Sequence, residues 1–151
     1  MRVADLTWRA PVTIDCADPI LKAAQTLSEA GVGSLVVVDG GRPVGIVTDR
    51  DIVTRCVAER VEPDTRIDSI MSMGVVALDA DADVEELYAV FASHAIRRVP
   101  LVEDDRVVGM VTLDDAIVST AAALNDLAGV FSRQIAFPKA GDEPAAPAVP
   151  G

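Results

Sequence analysis

The feature that most limits the possible folds of this chain is an internal repeat. The segment VGIVTDRD, from Val44 to Asp51, recurs as VGMVTLDD, from Val108 to Asp115, so that Thr48 and Thr112 lie 64 residues apart. The same offset, kept without a gap, aligns further pairs on both sides: Val12 with Val76, Asp15 with Asp79, Ile20 with Val84, Leu35 with Val99 and Arg42 with Arg106. Such self-similarity marks copies of one supersecondary unit. The sequence therefore predicts two similar units, at about residues 10–56 and 74–120.

Within each repeat, the apolar pattern predicts the element order β-α-β-β-α. A short extended piece (12–14 or 75–78) precedes an acidic turn that offers helix N-caps. A helix follows, since apolar residues recur at spacings of three and four: Ile20, Ala23, Ala24 and Leu27 in the first repeat, and Val84, Leu87, Tyr88 and Phe91 in the second. Two β-branched runs joined by DGGRP or EDDR predict a β-hairpin, and a last helix begins at Asp49 or Asp114. The fold class is therefore α+β.

These patterns also predict the domain boundaries. Residues 1–73 form the first unit with its N-terminal segment and a linker, and residues 74–120 form the second. Part of the linker, 57–74, is expected to hold one helical turn. Residues 121–137 form an added helix that could dock or dimerise, with an apolar stripe at Leu124, Leu127, Val130 and Phe131. Residues 138–151 are expected to be disordered, because they are rich in proline and alanine and show no apolar period.

Composition argues against several kinds of function. A net charge of −11 and a pI near 4.3 disfavour nucleic acid and anionic membranes as partners, because both need a cationic surface. The start, MRVADLTWRAP, lacks the apolar stretch of a signal peptide, so we expect a cytoplasmic protein. The single histidine, His94, is expected at a surface or helix cap, and no ligand spacing predicts a metal site. Without a catalytic triad or a phosphate-binding Gly-rich loop, we expect no enzymatic activity.

The two repeats together are similar to a pair of CBS (cystathionine β-synthase) domains. The resemblance rests on G-h-h-T-x-x-D, where h is apolar, at Gly45, Thr48 and Asp51 and again at Gly109, Thr112 and Asp115, and on the IRRVPLV segment from Ile96 to Val102. It covers nearly all of the chain up to about residue 120. It implies two units packed about a pseudo-twofold axis, with two clefts that can hold AMP, ADP, ATP or a related adenosyl compound. It also implies a homodimer that regulates another, unknown protein and has no catalytic role.

The T-x-x-D pattern has two physical interpretations. The carboxylate could accept hydrogen bonds from both hydroxyls of a ribose, while the threonine and the first free N–H groups of the helix face a phosphate. Alternatively, the threonine caps the helix and the acid reaches back to the threonine amide, as in a capping box. The resemblance favours the first interpretation for at least one of the two copies.

The resemblance also assigns residues to each cleft. Around Thr112 and Asp115 it places Met110, Asp114, Arg97, Thr7, Val12, Val32 and Gly33. Around Thr48 and Asp51 it places Ile46, Arg50, Gly33, Val76, Ile96 and Arg97. Arg97 and Arg98 are the expected phosphate ligands, because guanidinium groups bind phosphate bidentately.

The charges around the clefts refine this expectation. Asp49 and Asp114 oppose a polyphosphate by repulsion, so AMP or ADP is favoured over ATP. Gly33 stands where the second unit has Arg97, so one strong site is favoured over two. The alternative is a dimeric scaffold that binds no ligand, or one that responds to redox state through Cys16 and Cys56.

Overall fold

The computed structural model describes residues 1–136, with side chains up to Arg133. After a 3-10 helix (Val3–Asp5), the first repeat contains β1 (Thr13–Asp15), α1 (Ile20–Ala30), β2 (Ser34–Asp39), β3 (Arg42–Thr48) and α2 (Asp49–Asp51), which continues as a π-helix (Ile52–Val57). The linker adds a 3-10 helix (Ile67–Ser69) and β4 (Ser72–Met73). The second repeat contains β5 (Leu78–Asp79), α3 (Val84–His94), β6 (Arg98–Glu103), β7 (Arg106–Thr112) and α4 (Leu113–Ala136). The predicted order is confirmed in both repeats, as is a helical turn in the linker.

The strands form two sheets with matching topology. The first has the order β1-β2-β3-β4 and the second β5-β6-β7. In each, a short strand runs parallel to the first strand of an antiparallel hairpin. Both hairpins contain an irregularity at the same place, between Val37 and Val38 and between Leu101 and Val102. The repeat in sequence is thus a repeat in backbone detail.

Each repeat has its own apolar core. Helices α1 and α3 pack equivalent faces on their sheets, through Ile20, Ala23 and Leu27 in one and Val84, Leu87 and Phe91 in the other. The most buried strand residues also match across the 64-residue offset: Leu35, Val37 and Val47 with Val99, Leu101 and Val111. The predicted core is therefore confirmed.

The segment that precedes each repeat contributes to the core of the other repeat. Ile67 and Ile70, ahead of the second repeat, are buried in the first core, and Val3 and Leu6, ahead of the first repeat, are buried in the second. Equivalent backbone hydrogen bonds hold the two segments. The Ile67 N–H donates to the Asp18 carbonyl at 2.7 Å, as the Val3 N–H does to the Ala82 carbonyl at 2.9 Å. In the other direction, the Ile20 N–H donates to the Thr65 carbonyl at 2.9 Å, as the Val84 N–H does to the Met1 carbonyl at 3.0 Å. The N-terminal segment, predicted with the first unit because it is adjacent in sequence, therefore packs on the second.

The two hairpin turns contact each other. Gly40 and Gly41 adopt φ values of 58° and 86°, and their counterparts Asp104 and Asp105 adopt 48° and 61°, as two-residue hairpin turns require. The backbone N–H of Val107 donates to the carbonyl of Gly41 at 3.1 Å. This bond joins the two repeats at the ends of their sheets.

Residues Met1–Ala116 form one compact unit, and the described residues from Ile117 to Ala136 belong to another. The predicted added helix is confirmed as helical, but it continues from the last helix of the second repeat without a break. Leu124, Leu127, Val130 and Phe131 are all exposed. The predicted tail, 138–151, lies outside the described residues. None of the helices among the described residues combines the length and apolar character that a transmembrane span requires.

Candidate functional site

Both T-x-x-D motifs form capping boxes where a strand passes into a helix. The Asp51 N–H donates to Thr48 Oγ1 at 3.1 Å, and the Thr48 N–H donates to Asp51 Oδ2 at 2.9 Å. In the second repeat the Asp115 N–H donates to Thr112 Oγ1 at 3.1 Å, and the Thr112 hydroxyl donates to Asp115 Oδ2 at 2.6 Å. One oxygen of each carboxylate is thus used by its own helix.

The second oxygen of each carboxylate faces an arginine. Arg9 Nη2 lies 3.5 Å from Asp115 Oδ1, and Arg55 Nε lies 3.7 Å from Asp51 Oδ1. Burial by itself raises the pKa of Asp115, but hydrogen bonds from Thr112 and the nearby Arg9 outweigh it, so the net pKa lies below the usual value. Asp115 is therefore ionised at neutral pH although it is only 9% exposed. Arg9 is the side chain that contacts Oδ1, and the ribose-binding role of Asp115 stays a prediction.

An open cleft, cleft one, lies between the repeats beside Thr112. It encloses about 340 Å³. Six of the predicted residues line it: Val12, Val32, Gly33, Met110, Thr112 and Asp114. Arg9, Ala10, Gly31, Ser34 and Arg98 complete the wall. Of the remaining residues predicted for this cleft, Thr7, Arg97 and Asp115 are not part of its wall.

A second opening, cleft two, lies between β3, β4 and the end of α3, and it encloses about 270 Å³. Ile46, Val76 and Ile96, three of the residues predicted around Thr48 and Asp51, line it together with Ser72, Met73, Gly74, Val75, His94 and Arg98. Thr48, Asp51, Arg50, Gly33 and Arg97 are not part of this wall. Cleft two therefore has mostly apolar walls and does not include the T-x-x-D motif of the first repeat.

The two adjacent arginines have different surroundings. Arg97 Nη2 binds Asp114 Oδ1 at 3.0 Å, and both side chains are largely exposed. Arg98 lines both clefts, and among the described residues no hydrogen bond or ion pair involves its guanidinium group. Of the two predicted phosphate ligands, Arg98 is the one that faces the clefts.

Sequence reasoning missed the contributions of two segments, 9–10 and 72–74. Arg9 forms an isolated antiparallel bridge with Met110, and at the equivalent place Ser72 and Met73 pair with β3. Arg9 and Met73 are themselves one repeat offset apart, so extending the alignment toward the N-terminus would have shown that the two segments are equivalent. His94, predicted at a surface or cap, lines cleft two, and its Nδ1 lies 2.8 Å from the Ser93 hydroxyl.

The cysteines have surroundings that disfavour a reactive thiolate. Partial burial raises the pKa of Cys16, and the nearby Asp39 and Asp15 raise it further. Cys56 is buried, and its thiol donates to the carbonyl of Val61 at 3.3 Å. Across residues 1–133, no three histidine, cysteine or acidic side chains are grouped so that they could hold a metal ion.

Comparison with known proteins identifies the family. The family model of the CBS domain matches residues 3–58 and 67–119, which together make up most of the chain. The chain belongs to the CBS domain family. The two matched CBS domains begin one repeat offset apart, at the two 3-10 helices. CBS domain proteins are generally regulatory rather than catalytic.

Relatives and solved CBS pairs cover nearly the same length. The Bacillus subtilis protein YlbB is 35% identical in a 128-residue alignment that covers 80% of this chain and 86% of YlbB. The structure of the CBS domain protein PAE2072 from Pyrobaculum aerophilum, complexed with AMP, is 27% identical with a TM-score of 0.69 and covers 85% of this chain and 99% of its own. The CBS pair of protein MJ0100, in complex with 5′-methylthioadenosine and S-adenosylmethionine, is 30% identical with a TM-score of 0.69 and covers 82% and 98%.

Proposed function

We propose that this CBS pair is a regulatory module that binds an adenosyl ligand in cleft one and acts on a separate protein. The observation that carries the proposal is the composition of that cleft. Apolar side chains of Val12, Val32 and Met110 offer a surface for adenine, and the N-terminus of α4 at Thr112 lies in the same wall. A volume of about 340 Å³ lies within the usual range for small-molecule sites.

The cations of cleft one suit a ligand with few phosphates. Arg9 and Arg98 are its two arginines, and the helix N-terminus adds a partial positive charge. Asp114 lines the same cleft, although Arg97 partly neutralises it. Each further phosphate would add negative charge near Asp114 without another cation, so AMP or ADP is favoured over ATP.

Arg9 links phosphate binding to ribose binding in this proposal. When a phosphate enters, Arg9 can turn from Asp115 Oδ1 toward the phosphate, because the present contact is long at 3.5 Å and Arg9 is 74% exposed. Asp115 Oδ1 is then free to accept hydrogen bonds from the ribose hydroxyls, while Oδ2 continues to cap the helix. The capping box and the ribose site thus use different oxygens of one carboxylate.

The test is a thermal melt of the full chain with AMP, ADP, ATP, NAD and S-adenosylmethionine. A ligand present at 100 times its dissociation constant stabilises a protein by about 2.7 kcal/mol, which shifts the melting temperature measurably. We expect AMP or ADP to give the largest shift. Arg9→Gln should reduce the shift, whereas Arg2→Gln should not, because Arg2 belongs to the same segment but binds Asp81 outside the clefts. No shift with any ligand, or equal losses in the two variants, would contradict the proposal.

We also propose that the module works as a homodimer. Val53 and Val57, one turn apart on the π-helix, are 60% and 68% exposed, and together they offer an apolar surface that a second copy could cover. Light scattering after gel filtration should show a dimer for the parent and a monomer for Val53→Glu/Val57→Glu. A dimer that binds none of the five ligands would instead favour the alternative scaffold, and a monomeric parent would exclude both dimeric forms.

A further inference from the structure

Arg98 is the one side chain, among the described residues, that lines both clefts. It is the first residue of β6, it is exposed, and within residues 1–133 no hydrogen bond or ion pair fixes its guanidinium group. Its counterpart in the first repeat is Ser34, which lines cleft one and has no charge. The pseudo-symmetry of the pair is therefore broken at the position where the two clefts share a wall.

The two clefts depend on this arginine to different degrees. Cleft one contains a second arginine, Arg9, and the N-terminus of a long helix. Among the described residues that line cleft two, Arg98 is the only arginine, and the other polar side chains are those of Ser72 and His94. The remaining walls, including Ile46, Val75 and Val76, are apolar. A phosphate in cleft two would thus rely mainly on Arg98.

We propose that Arg98 couples the two clefts, so that a phosphorylated ligand in cleft one lowers the affinity of cleft two for a second one. A guanidinium group bound bidentately to one phosphate has its fork of N–H donors directed at that phosphate. Cleft two is then left with apolar walls, which suit an adenosyl compound without a phosphate. The proposal rests on the function proposed above and adds the ligand class of each cleft and the direction of their coupling.

The experiment is calorimetric titration of the full chain with two probes, AMP and adenosine. In the parent, we expect AMP to bind in two steps, the second at least about tenfold weaker, since one charged hydrogen-bonding contact is worth about a factor of ten. With AMP already saturating its first step, adenosine should still bind to cleft two. Arg98→Gln should weaken the first AMP step and leave adenosine binding to cleft two unchanged.

Blocking one cleft shows whether the arginine is shared. Gly33→Leu fills cleft one from a position where an added Cβ meets its nearest neighbour, Asp49 Oδ2, at an ordinary 3.8 Å. AMP should then bind cleft two about tenfold more tightly than in the second step of the parent, because Arg98 is free. This gain should be absent in Gly33→Leu/Arg98→Gln. Ala10→Leu blocks the same cleft from another segment and serves if the first variant does not fold.

The control is Arg60→Gln, which removes one exposed arginine that lines neither cleft. It should leave both AMP steps as in the parent. Two results would overturn the coupling while leaving the proposed function intact. One is that the two AMP steps have equal intrinsic affinity. The other is that cleft two binds AMP equally well in the parent, where cleft one is open, and in Gly33→Leu, where it is blocked. If neither probe binds the parent, the coupling is wrong, and the proposed function is wrong with it if ADP, ATP, NAD and S-adenosylmethionine also leave the melting temperature unchanged.

Discussion

The glycine of each G-h-h-T-x-x-D motif is required because another segment of the chain crosses directly over it. At Gly45, an added Cβ would lie 2.9 Å from the Ser72 carbonyl oxygen and would also meet Met71 Sδ. At the equivalent Gly109, it would lie 2.5 Å from Cε3 of Trp8. We predict that Gly45→Ala destabilises the protein and displaces β4, the strand that forms part of cleft two.

The magnitude follows from what the new methyl group meets. The Met71 side chain can move, but the Ser72 oxygen belongs to a strand whose partners are Gly45 and Ile46. Overpacking of this kind costs about 1–3 kcal/mol, and each lost backbone hydrogen bond about 1 kcal/mol more. Replacing glycine by alanine recovers about 0.4–1 kcal/mol by restricting the unfolded chain. The net loss in the free energy of unfolding is therefore about 2 kcal/mol.

Urea unfolding followed by circular dichroism measures this loss. With an m value of about 2 kcal/mol/M, the midpoint should fall by roughly 1 M. Gly33→Ala is the matched control, because its Cβ meets nothing closer than 3.8 Å and its midpoint should stay level or rise slightly. Equal midpoints for the two variants would refute the argument that the crossing strand requires a glycine.

Three further predictions test the core, the cap and the thiol. Leu101→Ala should lower the free energy of unfolding in urea by about 2–5 kcal/mol, because Leu101 is fully buried. Leu127→Ala should lower it by less than about 0.5 kcal/mol, because Leu127 is 66% exposed. Similar losses in the two variants would contradict the assigned core. The pKa of Asp115 is lower in the folded state than its unfolded value near 3.8, because hydrogen bonds from Thr112 outweigh burial. Its stabilisation is therefore complete above that pH and is lost as the pH falls through the folded pKa. The free energy of unfolding should differ less between pH 7 and pH 3 in Asp115→Asn than in the parent. An equal difference in the two proteins would argue against this role of Asp115. Cys16 should react with Ellman's reagent at pH 8 more slowly than a free thiol, because its pKa is raised; a faster reaction would favour the redox alternative.

The order of elements and the two cores could be predicted from the sequence because they depend on local spacing. Apolar residues three and four apart place one face of α1 or α3 on a sheet, and the two-residue turns fix the hairpins. The caps of the last helices could also be anticipated, since a threonine followed three residues later by an acid can close on itself within one turn. Of the two interpretations of T-x-x-D, this local one is present in both repeats.

The composition of the clefts depends on contacts that sequence spacing does not encode. Whether Arg97 or Arg98 faces a cleft is decided by one residue of register at the start of β6, because successive side chains of a strand point to opposite sides. Arg9 reaches cleft one only because its segment bridges to Met110, a partner more than 100 residues away. Contacts between residues that are distant in sequence therefore account for most of the differences between the predicted and the observed cleft residues.

Because the segment ahead of each repeat packs in the core of the other repeat, the chain is organised like a domain-swapped dimer whose two subunits have been fused. A chain of one repeat could satisfy the same contacts only by trading its leading 3-10 helix with a second molecule, as symmetric swapped pairs do. In the fused chain this exchange is intramolecular, so the effective concentration of each segment at the other repeat reaches the millimolar range typical of short tethers. If the connection were cut between residues 59 and 66, each fragment would carry a piece of its neighbour's interior, and the two would have to recombine to regain a complete fold.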